Sequence, residues 1–169
     1  MYQIDDALIY GSFGVCRVAD ITEREFCGSE SLYYVLEPVF DSGCTFFVDV
    51  HNSAAASRLR PALEPEDAEL LIAAMPRVEE QWEDEPRQRK ARYSRIIAGG
   101  DRLELIGLIK ALHNYGQQQR SLGKKLGAGD EQCLRLAEKL IDQEIAHALR
   151  REPAQVASYI ESRLALTAQ

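Results

Sequence analysis

LRPALEPEDAELLIAAM, residues 59–75, is the stretch in which the chain changes its period. Leu59 to Pro61 end a region of short Val-, Ile-, Tyr- and Phe-rich runs, and from Glu64 onward the pattern becomes helical. Pro65 suits a first helical turn, because its missing N–H is one of the donors that a helix leaves unpaired there. Glu66 and Asp67 behind it complement the positive end of the helix dipole, and Pro76 closes the segment. The reading is an α+β chain with a small β domain over residues 1–62 and an all-α domain over residues 63–169.

Upstream of this stretch, ALIY, VCRVADI, YYVLEPVF and CTFFVDV read as strands, separated by GSFG, a polar CGSES and a DSG turn at Asp41 to Gly43. The DSG turn suits a hairpin, and Pro38, which cannot donate to a ladder, implies an edge or a bulge. About five short strands in about 60 residues are what a small Tudor- or SH3-like barrel requires.

Downstream, one helical pattern follows another. EEQWEDEPRQRKARYSR, residues 79–95, leads to a Gly99-Gly100 stop. Asp101 caps RLELIGLIKALHNYG, in which Leu105, Leu108, Ile109 and Leu112 form a buried stripe. LGAGD is a turn that places Asp130 as the cap of EQCLRLAEKLIDQEIAHALR, with Leu136, Leu140 and Ile141 inside and Glu131 and Glu138 outside. Pro153 opens a last helix with Val156, Ile160 and Leu164 on one side. A compact bundle of about five helices is expected.

With 169 residues and 46% hydrophobic composition the chain can bury a core. No run approaches the roughly 18 apolar residues of a membrane span, and MYQIDDALIYG lacks the features of a signal peptide, so a cytoplasmic location is expected. Cys16, Cys27, Cys44 and Cys133 form no CxxC pair and are expected to be reduced thiols, without the close paired spacing that a zinc site including His51 would need. His51, His113 and His147 have no nucleophile or carboxylate at a motif spacing. The GSFG turn precedes a strand and so lacks the helix N-terminus that would hold a phosphate. No enzymatic activity, cofactor or small-molecule substrate is expected. A net charge of −7 and a pI near 5.1 argue against nucleic-acid binding by bulk charge, so any such contact must be local and assisted.

One stretch stands against that acidity. Arg87, Arg89, Lys90, Arg92 and Arg95 bring five of the chain's 20 Lys and Arg residues into nine positions. Helix stability accounts for part of this, since acids precede bases and Glu85 to Arg89 is an i,i+4 pair, each effect being worth about a few tenths of a kcal/mol. At about 100° per residue, Tyr93, Ile96 and Ile97 lie on one side while Arg87, Lys90, Arg92 and Arg95 share the other, a face able to touch phosphates. Trp82 has two readings. If the helix runs straight through Pro86, Trp82 packs in the core beside Tyr93. If Pro86 is instead the first helical residue, with Asp84 or Glu85 as cap, Trp82 is free to act as a wedge or stacking platform.

IDDALIYGSFGVCRVADI, YYVLEP, the LRP at Leu59 to Pro61, the Trp, R-x-x-x-Y, GGD, a Leu-rich helix and a GD-E capped helix together resemble, in order and spacing, the CarD/CdnL family of bacterial transcription regulators. The likeness covers nearly the whole chain, and the N-terminal half is similar to the polymerase-interacting module shared with the transcription-repair coupling factor. It implies a Tudor-like domain that docks on the RNA polymerase β subunit and a helical domain that contacts promoter DNA upstream of the melted region. It also implies that Arg24, near the end of the second strand, touches the polymerase. A second contact position, basic in the family, falls on Phe47, and Asp49 replaces a Pro usual in that strand. Trp82 is implied as a minor-groove wedge, with Arg87, Arg89, Lys90 and Arg92 as basic neighbours and Arg95 on the same face.

The expected function is non-enzymatic regulation that stabilises or tunes the open promoter complex. Held on polymerase, the basic face needs little affinity of its own, and DNA binding by the isolated chain is expected to be weak and non-specific. The alternative is a protein-interaction module that uses an edge strand and makes no DNA contact.

Overall fold

Alternating apolar and polar side chains in the N-terminal runs have their counterpart in a single sheet. The structure, a computed structural model, describes residues 1–26 and 28–167. It divides into two compact units, Met1–Ala62 and Leu63–Gln169. In the first, β1 (Ala7–Tyr10), β2 (Val15–Phe26), β3 (Ser29–Pro38), β4 (Phe46–Asp49) and β5 (Leu59–Pro61) form a five-stranded sheet in the order β4-β3-β2-β1-β5. All of its pairings are antiparallel. Leu8, Cys16, Val18, Tyr34, Leu36, Val48 and Leu59 make its core. Each large aliphatic side chain buried there contributes roughly 1.5–3 kcal/mol.

The architecture is α+β as the sequence indicates, and three details differ. The polar CGSES segment was expected to separate strands, yet β2 continues to Phe26 and β3 begins at Ser29, pairing Phe26 with Ser29 and Arg24 with Ser31. This arm of the hairpin is exposed on both faces, so it forms a ladder without the apolar alternation that marks a half-buried strand. Second, a register irregularity that was not expected lies between Val18 and Asp20, while at Pro38 the structure takes the edge alternative and not the bulge. Pro38 is tolerated because β4 pairs only with Tyr33 to Leu36, which leaves the strand locally an edge where the donor is missing. Third, HNSAAAS contains a short helix, α1 (Ser53–Ala56), whose cap Asn52 accepts from Ala54 N at 3.1 Å and Ala55 N at 3.2 Å.

The second unit contains α2 (Pro65–Ala74), α3 (Pro86–Gly99), α4 (Arg102–Ser121), α5 (Ala128–Leu149) and α6 (Val156–Thr167). Pro65 stands at the start of α2, Gly100 ends α3 in the left-handed region at φ 66°, and Asp101 caps α4 by accepting from Glu104 N at 2.9 Å. The expected cap Asp130 is instead inside the first turn of α5, which begins at Ala128 after Gly127. Its carboxylate still faces the positive helix end, but it also turns toward Arg89, a tertiary partner that spacing does not reveal. In α4, Leu105, Leu108 and Leu112 are buried as expected, with Ile106 joining them while Ile109 is only half-buried. No helix among the described residues is long and apolar enough to cross a membrane.

Two ionic features of the bundle were not anticipated. Arg102 reaches the buried Glu144, with Nε at 2.8 Å and Nη2 at 2.5 Å from Oε1, and so ties α4 to α5. Asp142, by contrast, is raised to about 6, first by burial and then by the charge of Glu138 one turn away. A carboxyl whose folded value exceeds its unfolded value binds its proton more tightly when folded, so ionising it costs stability as pH rises from about 4 through about 6. Asp142→Asn is therefore expected to be more stable than the parent near about pH 7.5 and equal to it near about pH 4, measured as the difference in urea midpoints.

Candidate protein and nucleic-acid interfaces

The outer face of the sheet is set by register. Pairing places Arg24 opposite Ser31, Tyr33 opposite both Thr22 and Asp49, and Phe47 opposite Val35, so these side chains share the face away from Tyr34, Leu36 and Val48. There Arg24 lies over the ring of Phe47, 5.0 Å from its centroid. Phe26 joins them, with its ring 5.7 Å from Phe47 and 5.0 Å from Tyr33. Phe26 is 43% and Phe47 38% exposed, so solvent reaches aromatic surface that could be covered by a partner. Asp49 is held below the usual carboxylate range, chiefly by the N–H of His51 and also by the hydroxyl of Ser31.

In the helical unit, the segment between α2 and α3 is laid along α4. Gln81 N donates to the Gly107 carbonyl at 3.0 Å. Lys110 Nζ, nearly one turn on, donates to Val78 O at 2.5 Å and Pro76 O at 3.1 Å, and Asn114 donates to Glu80. Gly107 is required, since a Cβ there would collide with the Glu79 carbonyl and come within 2.8 Å of Gln81 Cγ. This track delivers Trp82 to Tyr115, with ring centroids 4.6 Å apart. Trp82 Nε1 donates to Asp84 Oδ1 at 2.8 Å.

Pro86 is the first residue of α3, and Glu85 caps it by accepting from Arg87 N at 3.1 Å and Gln88 N at 2.7 Å. Trp82 therefore stands outside the helix. It is half-buried, packed on a surface neighbour and not in the core beside Tyr93.

The basic face is smaller than expected. Arg87, Lys90 and Arg95 are exposed, Arg95 with Nη2 3.7 Å from Glu104 Oε1. Arg92 is half-buried and donates to Gln81, while its Nε is buried without a hydrogen-bond partner among the described residues. The Arg89 side chain is only 14% exposed. Helix geometry gives the reason, because Arg89 lies about 200° around α3 from Arg87, on the side of Tyr93 and Ile96. The expected solvent-facing position of Arg92 is thus corrected, and Arg89 belongs to the inner side as well.

Residues 2–61, nearly the whole first unit, match the family model of the CarD-like/TRCF RID domain. The match covers about a third of the chain, so the similarity is that of the first unit alone. Similarity to this domain family points to RNA polymerase binding and transcription regulation. Comparison with curated proteins gave no match.

Arg24 and Phe47 meet on one face of the first unit although they lie on different strands. Sequence reasoning missed their neighbours Phe26 and Tyr33, for which the signal was a polar strand interrupted by an aromatic. It also missed Gly107, Lys110, Asn114 and Tyr115. A glycine inside a Leu-rich helix was the available sign that another backbone approaches there. Of the cysteines, Cys16 and Cys133 are free thiols, each pushed up to about 11, mainly by burial, and Cys44 is free and exposed. The expected thiol Cys27 lies outside the described residues. His113 pairs with Glu138 at 2.7 Å, and burial holds His147 below the usual imidazole range.

Proposed function

We propose that the chain is a non-enzymatic transcription regulator that docks on the RNA polymerase β subunit through the Arg24–Phe47 face and contacts promoter DNA through Trp82, Arg87, Lys90 and Arg95, stabilising or tuning the open complex. The observation that carries the DNA half is the start of α3 at Pro86, which leaves Trp82 at the surface one short capped turn from Arg87 and Lys90. A half-exposed aromatic beside outward bases is suited to a groove edge, with the ring against the stacked pairs and the bases on phosphates. Tethering supports the reading in a chain of net charge −7, because polymerase raises the local concentration of promoter DNA and general acidity suppresses idle binding elsewhere.

Arg87→Glu with Lys90→Glu is the test. Both residues are exposed, so the fold is expected to be unaffected while the lifetime of the open complex shortens and its salt slope falls by about two phosphate contacts. Unchanged lifetimes together with unchanged polymerase binding would favour the interaction module without DNA contact.

A further inference from the structure

The Arg89 guanidinium is already engaged on several sides. Its Cζ lies 4.9 Å from the ring centroid of Trp82 and 5.6 Å from that of Tyr115. Nη1 donates to the carbonyl oxygens of Glu83 and Asp84, both at 3.4 Å, and Nε is 3.7 Å from Asp130 Oδ1. Glu83 and Asp84 follow Trp82 directly, Tyr115 is on α4, and Asp130 is in the first turn of α5. One side chain therefore connects the segment carrying Trp82 to three helices.

We infer that Arg89 is a positioning residue, a clamp that fixes the Trp82 ring against Tyr115, and not a phosphate contact. A planar guanidinium can lie against two aromatic faces while its edge N–H groups bind carbonyls and a carboxylate, which a lysine ammonium cannot do. To reach a phosphate, the group would have to leave the rings, the two carbonyls and Asp130 together. The clamp also fixes an entropy cost in advance, because a Trp held in place before DNA arrives loses less freedom on binding. For its effect on promoter complexes this inference rests on Trp82 being a DNA-contacting group, but the clamp itself is a property of the free protein.

Trp82 is the chain's one tryptophan, so intrinsic fluorescence reports its position alone. Arg89→Gln is expected to shift the emission to the red and to raise the acrylamide quenching constant, as the ratio of docked to undocked ring falls on the order of fivefold. Arg89→Lys keeps the charge without the plane and should behave like the Gln variant, whereas Arg87→Gln should leave the emission unchanged. Tyr115→Leu removes the opposite side of the clamp and should release Trp82 in the same way, which keeps the test decisive if one variant loses helical circular dichroism. On polymerase–promoter complexes, Arg89→Gln should shorten lifetimes at an unchanged salt slope, while Arg87→Gln lowers the slope by about one contact. Parental emission and quenching in both Arg89→Gln and Tyr115→Leu would overturn the clamp. So would recovery of parental behaviour in Arg89→Lys with a reduced salt slope in Arg89→Gln, the signature of a phosphate contact. If the fluorescence moves as expected but neither Arg89→Gln nor Trp82→Ala alters promoter lifetimes, the clamp stands and the DNA role of Trp82 falls.

Discussion

Arg24→Glu is expected to weaken binding of the intact protein to RNA polymerase by at least roughly 30-fold, the loss that follows from removing a hot-spot contact. Arg24 is exposed near the end of β2 and lies over Phe47 among exposed aromatic rings, an arrangement in which a cation is presented on apolar surface with its charge open to a partner. Reversal removes the charge, places a carboxylate against the partner's complementary surface, and withdraws the cation from the Phe47 ring. The side chain is exposed, so the sheet is expected to keep its stability within about 0.5 kcal/mol. Pull-down of polymerase by parent and variant, with circular dichroism as the control, makes the comparison. Undiminished binding would remove the docking surface from this face.

Arg102→Ala is expected to destabilise the helical unit by about 3–5 kcal/mol. Glu144 is 2% exposed, and Arg102 meets one of its oxygens with two nitrogens, so removing the guanidinium leaves a carboxylate in the interior without that charge partner. The net worth of such a pair is smaller than the cost of breaking it, because both groups were taken from water to make it. Arg102→Met with Glu144→Leu should therefore recover most of the loss. Urea unfolding followed by helical circular dichroism measures both variants. A drop below about 1 kcal/mol for Arg102→Ala would mean that the carboxylate finds other support or water.

Features that depend on near neighbours in the chain could be read from residues alone. The period change after Pro61, the Pro65 and Asp101 helix starts and the Gly100 stop are local, and each element forms where capping chemistry and apolar spacing place it. Trp82 shows where this ends. The residues around Pro86 offered two helix starts, and the Glu85 carboxylate, accepting from Arg87 and Gln88, marks the one adopted. Where the ring then goes depends on Tyr115, Gly107 and Asp130, brought together by folding of the bundle. Arg89 and Arg92 show the same limit, for a basic residue reads as a solvent cation until its tertiary acceptors are known. The Arg24 and Phe47 pair came from family resemblance, and their contact across strands is a consequence of register.

The most direct test of the account is a footprint of the polymerase–promoter complex with and without the protein. The account predicts added protection at the upstream edge of the melted region, retained at low salt, reduced by Arg87→Glu with Lys90→Glu, and abolished by Arg24→Glu because the tether is lost. Identical footprints in the presence and absence of a protein that remains bound to polymerase would contradict it.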